Sequence, residues 1–501
     1  MNGLDGVPGN SSTQTGSLDQ SISRGTRWLL VGRLLAQVIS LVVLAILYRS
    51  VPQEEFGRYG MVLPIILLLR VFVSFGLNAA VIQTSSLSNE QVSGLFWANA
   101  LAGVIVTGVT LLIAPVLGWV FQTDVVIPVV LALSATAMLY GLMVQHVALL
   151  ERKLAMSRMV AAQIGSQIAA GMLAVPIAWS GAGVWALVAQ HYAELVVLLG
   201  LVWRMETWRP LPWRQCSDLG QLIRFGGFHS LGGLMNSLYL AADKLVLAVL
   251  IGGTTDGRVA IGLYSQAFNV MSRPLQWLVG PISSIMLPSL ARSKPAVEKS
   301  NQWVKDFLRF VAIALLPISI GCLVTAQDVM ITLGGAPWAP AGRVLTCLSI
   351  GMLGLAAIRL ASVVMTARGQ VKQMFRWEAL TAVAVLLGCW AGHQAGGWWN
   401  QSTLGVAMAY SIVVTFVVAV PYLGWAMHTS GISLGEWARS LWRPTCAAIG
   451  MGLVVRSLQP SLALEWPERP LLRLATSALI GVVIYALLAW EDIRDIQHKF
   501  F

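Results

Sequence analysis

Apolar runs of about 20 residues, separated by short polar stretches, recur along the chain from residue 27 to residue 490. A run of that length crosses the hydrocarbon core of a bilayer as one helix. The pattern predicts about fourteen such helices. They fall near 27–48, 57–82, 94–121, 125–150, 159–179, 182–203, 223–251, 261–290, 303–325, 341–367, 374–395, 402–427, 440–458 and 470–490. The expected fold is therefore an all-α polytopic membrane protein. Residues Met1 to Gly25 are polar and rich in Gly, Ser, Gln and Asn. They lack the layout of a removable signal peptide and read as a disordered cytoplasmic tail, with the first span as its own insertion signal. The connection from Arg204 to Leu222 holds Trp208, Arg209, Trp213 and Arg214 around two prolines. It is expected on the inner interface, dividing two lobes.

Loop charges orient these spans. With the N-terminus inside, the expected cytoplasmic segments carry twenty Lys and Arg, and the outer segments seven, Arg49, Arg58, Arg258, Arg343, Arg456, Arg469 and Arg473. This bias supports an even number of spans with both termini cytoplasmic. It also explains the net charge of +11 without nucleic-acid binding, since basic loops record topology and contact with anionic lipid. Apolar residues make up 56% of the chain and charged ones 11%. The 20 Trp cluster at the ends of apolar runs, where amphipathic rings settle among headgroups.

The expected loops are short, which leaves no room for a soluble catalytic domain. No GxxxxGK[ST], HExxH or GxSxG motif occurs, the five Cys are scattered, and no metal-spaced cluster is present. These absences point away from nucleotide hydrolysis, zinc, disulfides and cofactors, and toward a protein that is not an enzyme.

An internal repeat divides the chain. After Gln37 come Val43-Leu44-Ala45-Ile46-Leu47, a polar turn, and Gly57-Arg58-Tyr59. After Asn236 come Val246-Leu247-Ala248-Val249-Leu250, a polar turn, and Gly262-Leu263-Tyr264. Each Tyr is followed by an arginine in the next apolar run, Arg70 in one copy and Arg273 in the other. The copies lie six spans apart, so they point the same way about an axis along the membrane normal. The expected units are an N-lobe over 26–203, a linker over 204–222, a C-lobe over 223–430, and two extra helices with a cytoplasmic end over 431–501.

Charges within spans are costly unless they meet a partner or a polar cavity. Arg33 and Arg309 lie near the inner ends of their spans and are expected to snorkel to headgroups. Arg70 and Arg273 sit near the middle, where a polar cavity is the better explanation, and Arg359 is intermediate in depth. Asp243 and Lys244 are neighbours, so on a helix they point about 100° apart. They are expected to find partners on other helices, within either a water-filled space or an ion network that fixes packing. Glu194 reads as the one carboxylate near the middle of a span, with His191 one turn earlier. A carboxyl group out of water can carry a proton at physiological pH, which suits coupling, although a neighbouring arginine would satisfy it equally.

Several motifs together resemble a known family. They are Pro52-x-x-Glu55-Phe56-Gly57-x-Tyr59, Phe75-Gly76-Leu77, Ala79-Ala80-Val81-Ile82-Gln83, Trp208-Arg209-Pro210, Arg224-Phe225-Gly226, Asp243-Lys244-Leu245-Val246-Leu247, Gly262-Leu263-Tyr264-Ser265, Pro274-Leu275-Gln276 and Leu287-Pro288-Ser289-Leu290. Their order resembles the Wzx-type polysaccharide flippases of the multidrug/oligosaccharidyl-lipid/polysaccharide exporter superfamily. The resemblance implies two six-helix lobes around a central cavity, working by alternating access in a bacterial cytoplasmic membrane. The implied substrate is an undecaprenyl-diphosphate-linked oligosaccharide, and a glycan polymerase and assembly machinery are the implied partners.

The residues expected to hold an anionic head group are Arg70, Arg273, Arg359 and Lys244, by charge-assisted hydrogen bonds. Asp243 and Glu194 are the coupling or gating candidates. Two other readings remain: an ion-coupled small-molecule antiporter, and a membrane glycan polymerase or ligase. Deep arginines outnumber deep carboxylates, which disfavours the first, and the short outer loops disfavour the second.

Overall fold

The computed structural model describes residues 32, 35–74, 88–153, 155–216, 220–292, 297–399, 401–429, 431 and 433–500. The N-terminal tail, Arg33 and the stretch from Phe75 to Gln83 lie outside them. Among the described residues every regular element is a helix. In order they are α1 (Leu35–Ser50), α2 (Gln53–Ser74), α3 (Asn89–Val120), α4 (Ile127–Ser134), α5 (Thr136–Arg152), α6 (Met156–Trp179) and α7 (Val184–Met205). Then follow α8 (Gly220–Ile251), α9 (Thr255–Arg292), α10 (Val297–Gly334), α11 (Ala339–Ala367), α12 (Val371–Gly397), α13 (Ser402–Ile412) and α14 (Val420–His428). The chain ends with α15 (Leu434–Glu465), α16 (Pro470–Leu488) and α17 (Trp490–Phe500).

Twelve segments among the described residues are long and apolar enough to cross a membrane. They match twelve of the expected spans, with α4 and α5 forming one crossing and α13 and α14 another. The two expected spans outside the twelve are those of α1, described over 16 residues, and α9. Helix α9 is 38 residues long but carries Gln266, Asn269, Ser272, Arg273 and Gln276. Residues three and four apart share a helix face, so these polar groups make one stripe and lower its mean hydropathy.

Local chemistry sets the ends. Ser88 caps α3 through a bond to the Gln91 amide, and the Gln91 side chain returns one to the Ser88 amide, each 3.1 Å. Prolines open α4, α11, α14 and α16, where the missing N–H is no loss. Between α13 and α14 the crossing relaxes into a π-helical segment, Val413–Ala419, just before Pro421.

Helices α2 to α7 pack on one another, as do α8 to α14, and α2 joins the two sets through α8 and α9. The loops α1–α2, α3–α4, α6–α7, α8–α9 and α10–α11 share one end of the bundle, called here the turn end. The linker after α7 docks on the opposite end of α3. Trp97 Nε1 donates to the Leu211 carbonyl at 2.8 Å, and the Leu211 amide to Ser93 Oγ at 3.0 Å. Lys153 Nζ bonds Glu206 Oε1 at 2.6 Å. Burial opposes ionisation of Glu206, but Lys153 and the Trp208 amide outweigh it and hold the carboxyl below its usual range. The linker thus belongs to the first set of helices as far as Cys216.

The last two crossings are fastened to α10 along its length. Arg473 of α16 meets Asp328 at 2.9 Å. Tyr485 Oη donates to the Ile313 carbonyl at 2.9 Å. Arg309 bonds Asp492, and Asp495 at 2.6 Å, both on α17. Arg309 therefore does not snorkel, contrary to expectation, because α17 folds back beneath α10 and supplies carboxylates. Removing the charge with Arg309→Gln leaves Asp492 buried without its cation. The expected loss is about 1–3 kcal/mol, read as a lower thermal midpoint of the purified protein, and partly regained in Arg309→Gln with Asp492→Asn.

Candidate substrate-binding and gating site

The two sets of helices meet at the turn end almost backbone to backbone. A Cβ on Gly57 of α2 would overlap the Arg258 carbonyl of α9, and one on Gly262 would overlap the Gln53 carbonyl. That same Cβ on Gly262 would lie 2.9 Å from the Gly57 amide nitrogen. The two repeated Gly-x-Tyr motifs thus touch each other, and only a residue without a side chain permits that approach.

Polar and aromatic groups seal the crossing. Arg258 Nε bonds Glu54 Oε1 at 2.9 Å, and Arg58 bridges Glu54 and Glu55 at 3.0 Å each. Gln53 Nε2 donates to the Pro337 carbonyl at 2.6 Å, and Arg49 to the Thr332 carbonyl at 2.8 Å. Trp338, 1% exposed, stacks on Tyr48 at 4.4 Å and donates its Nε1–H to the Tyr48 carbonyl at 2.8 Å. Phe56 meets its edge at 5.3 Å. Tyr48 Oη donates to Gln266 Oε1 at 2.9 Å. Reading the sequence missed this assembly, since its members lie more than 200 residues apart; the repeated Gly-x-Tyr was the available signal.

The candidate cations have separate surroundings. Arg273, half-buried on the α9 stripe, donates Nη1–H to Ser40 Oγ of α1 at 3.1 Å. Arg70 lies with its guanidinium 3.8 Å from the centre of the Tyr140 ring. Its charge acts on both His191 and Glu194 of α7, so the arginine and the expected coupling carboxylate do fall together. Arg359 of α11 acts on Tyr239 and Tyr410.

Asp243 and Lys244 depart from expectation. Lys244 Nζ lies 3.3 Å from Asp243 Oδ1, so the two do pair. The lysine stem curls back, its ammonium donates to the Leu240 carbonyl at 3.3 Å, and it lies 3.3 Å from the Phe268 ring centre. Asp243 accepts from Tyr264 Oη at 2.9 Å. Asp243 is fully buried and Lys244 is 8% exposed, so this pair sits inside the second set of helices. Glu194 is also not the single deep carboxylate. Glu378, which the expected boundary placed near a helix end, lies seven residues into α12 and is buried.

A family model described as "Polysaccharide biosynthesis protein" matches residues 43–343. The chain belongs to that family. Among curated relatives, the succinoglycan biosynthesis transport protein ExoT of Rhizobium meliloti is 26% identical, over 96% of this chain and 95% of that one. The teichuronic acid biosynthesis protein TuaB of Bacillus subtilis is 23% identical, over 94% and 96%. The lipopolysaccharide biosynthesis protein WzxC of Escherichia coli is 23% identical, over 85% of each. Among solved structures, the lipid II flippase MurJ in an inward closed conformation superposes with a TM-score of 0.72 at 12% identity, covering 93% of this chain and 99% of that one. A multidrug resistance MATE transporter superposes with a TM-score of 0.63 at 14% identity, covering 80% and 98%. These two likenesses establish a shared fold for this polysaccharide biosynthesis family member.

The turn-end crossing should open when it is overfilled. Gly57→Val is expected to raise the maleimide reactivity of a Gln266→Cys probe in a background without the native cysteines. Loss of about 1.4 kcal/mol of closure corresponds to roughly tenfold faster labelling. Unchanged labelling of a folded Gly57→Val protein would show that the glycines do not hold this end shut.

Proposed function

We propose that the chain is a flippase that moves undecaprenyl-diphosphate-linked oligosaccharide across the bacterial cytoplasmic membrane for exopolysaccharide or O-antigen synthesis. The observation that carries this reading is Arg273. It is a cation at mid-depth, on the polar stripe of α9, reaching the opposite set of helices, in a chain of the polysaccharide biosynthesis family. A diphosphate is the anion such a residue suits, since guanidinium pairs with phosphate oxygens through two parallel hydrogen bonds. Relatives named for succinoglycan transport and lipopolysaccharide biosynthesis support the same substrate class.

In this reading residues 26–203 and 223–430 are two lobes that rock about the substrate. The basic bias of the loops supports a cytoplasmic placement for the end opposite the turn end and for both termini. The turn end then faces outward, and this conformation is closed on that side. Arg70 and Arg273 bind the head group, with Arg359 contributing from the C-lobe. Glu194 couples binding to conformation, because it competes with the diphosphate for the charge of Arg70. Asp243 and Lys244 act in gating: their buried pair, anchored to Tyr264 beside Gly262, stiffens the C-lobe side of the outer contact. A glycan polymerase would receive the product outside.

Polymer yield in cells tests the assignment. Arg70→Ala with Arg273→Ala at normal expression is expected to abolish polymer and to accumulate lipid-linked repeat units on the inner face. Arg273→Lys should restore part of the yield, because charge remains and the bidentate geometry does not. Full polymer yield in the double alanine variant overturns the role given to both arginines.

A further inference from the structure

The C-terminal half encloses a file of buried polar groups that head-group binding leaves unused. It begins at the Asp243–Lys244 pair, with Tyr264 bonded to Asp243. It continues through Tyr410, which lies within electrostatic reach of Asp243, Tyr239 and Arg359. It then passes Tyr239, which feels both Arg359 and Glu378. It ends at Glu378 and Tyr422. The hydroxyl of Tyr410 is buried and has no hydrogen-bond partner among the described residues.

Glu378 is the group in this file whose setting demands an explanation. The residue is 4% exposed. Its Oε1 accepts from Ser362 Oγ of α11 at 3.0 Å. Its Oε2 is buried and has no polar partner among the described residues. Helix α8 closes over that oxygen, since a Cβ on Gly232 would sit 3.3 Å from it. Among the described residues, the groups around the carboxyl are Ser362 from α11, Tyr239 from α8 and Tyr422 from α14, and Met374 packs beside it against Gly232. An ionised carboxylate held by one neutral hydroxyl, with no cation bonded to it among the described residues, is strongly disfavoured in a low-dielectric interior. A neutral carboxylic acid is not.

We propose that Glu378 is a proton-binding site of the C-terminal half. In the conformation described here it holds a proton taken from water, and α8 covers it. When α8 moves away, water reaches Oε2 and the proton returns to it. The other charged groups of the file, Asp243 and Lys244, already neutralise each other. This deepens the flippase reading by giving the cycle a proton to couple to, and it rests on that reading for this use alone.

The test is an infrared pH titration of the full-length protein in lipid vesicles, following the C=O stretch of protonated carboxyl groups. The wild type minus Glu378→Gln difference should contain one titrating carboxyl band, with the fold of each variant checked by circular dichroism. Glu378→Asp should keep a titrating band at a shifted position. Ser362→Ala should move its midpoint, because the hydroxyl that bonds Oε1 is gone. A Glu378→Gln protein that titrates as the wild type does overturns the proposal. If that variant does not fold, an unmoved midpoint in Ser362→Ala overturns it. The titration needs no substrate, so its outcome is independent of polymer yield in the Arg70 and Arg273 variants: either result can fail while the other stands.

Discussion

The structure depends on one close crossing, that of α2 over the start of α9. Membrane helices gain little from burying apolar surface against each other, because lipid tails are as apolar as leucine. Association then rests on close packing and on directional bonds. Gly57 and Gly262 supply the close packing by letting two backbones meet. Around them Glu54, Arg58 and Arg258 supply charge, and Trp338 with Tyr48 and Phe56 fills the remaining space. The two halves of the repeat are joined there through equivalent positions, so a single small-residue motif, copied once, makes both sides of the contact.

The ions within the bundle follow from the same scarcity of water. Several of those described are answered locally. Arg309 takes carboxylates from α17, Arg473 takes Asp328, Lys244 takes Asp243 and the face of Phe268, and Arg70 takes the face of Tyr140. Ions with full partners, such as the Asp243–Lys244 pair, stiffen packing. Groups with incomplete partners, Arg273 with one serine hydroxyl and Glu378 with another, are those left to bind something else. This difference, more than depth, is the ground on which Arg273 and Glu378 are proposed as binding residues.

The legibility of these residues varied with how local their chemistry is. The spans were readable, since hydropathy and turn residues act over a few positions. The pairing of Asp243 with Lys244 was not, because side-chain directions on an ideal helix ignore the reach of a four-carbon stem, which bends back toward Leu240. Arg309 was misjudged for another reason: its partners lie more than 180 residues later. Glu378 was passed over because the expected helix began at 374, whereas α12 begins at Val371 and carries the carboxyl further in.

By itself the sequence determined the class of molecule, the number and order of crossings to a close approximation, and which charged residues lie within the crossings. These follow from solvation: an apolar run of sufficient length has one stable home, and a charge inside it needs a reason. Tertiary structure alone decided which charges are already neutralised, which glycines touch, and which end of the bundle is shut. Those depend on contacts between residues far apart in the chain, and a stripe of polar residues on α9 carries no mark of what lies across from it.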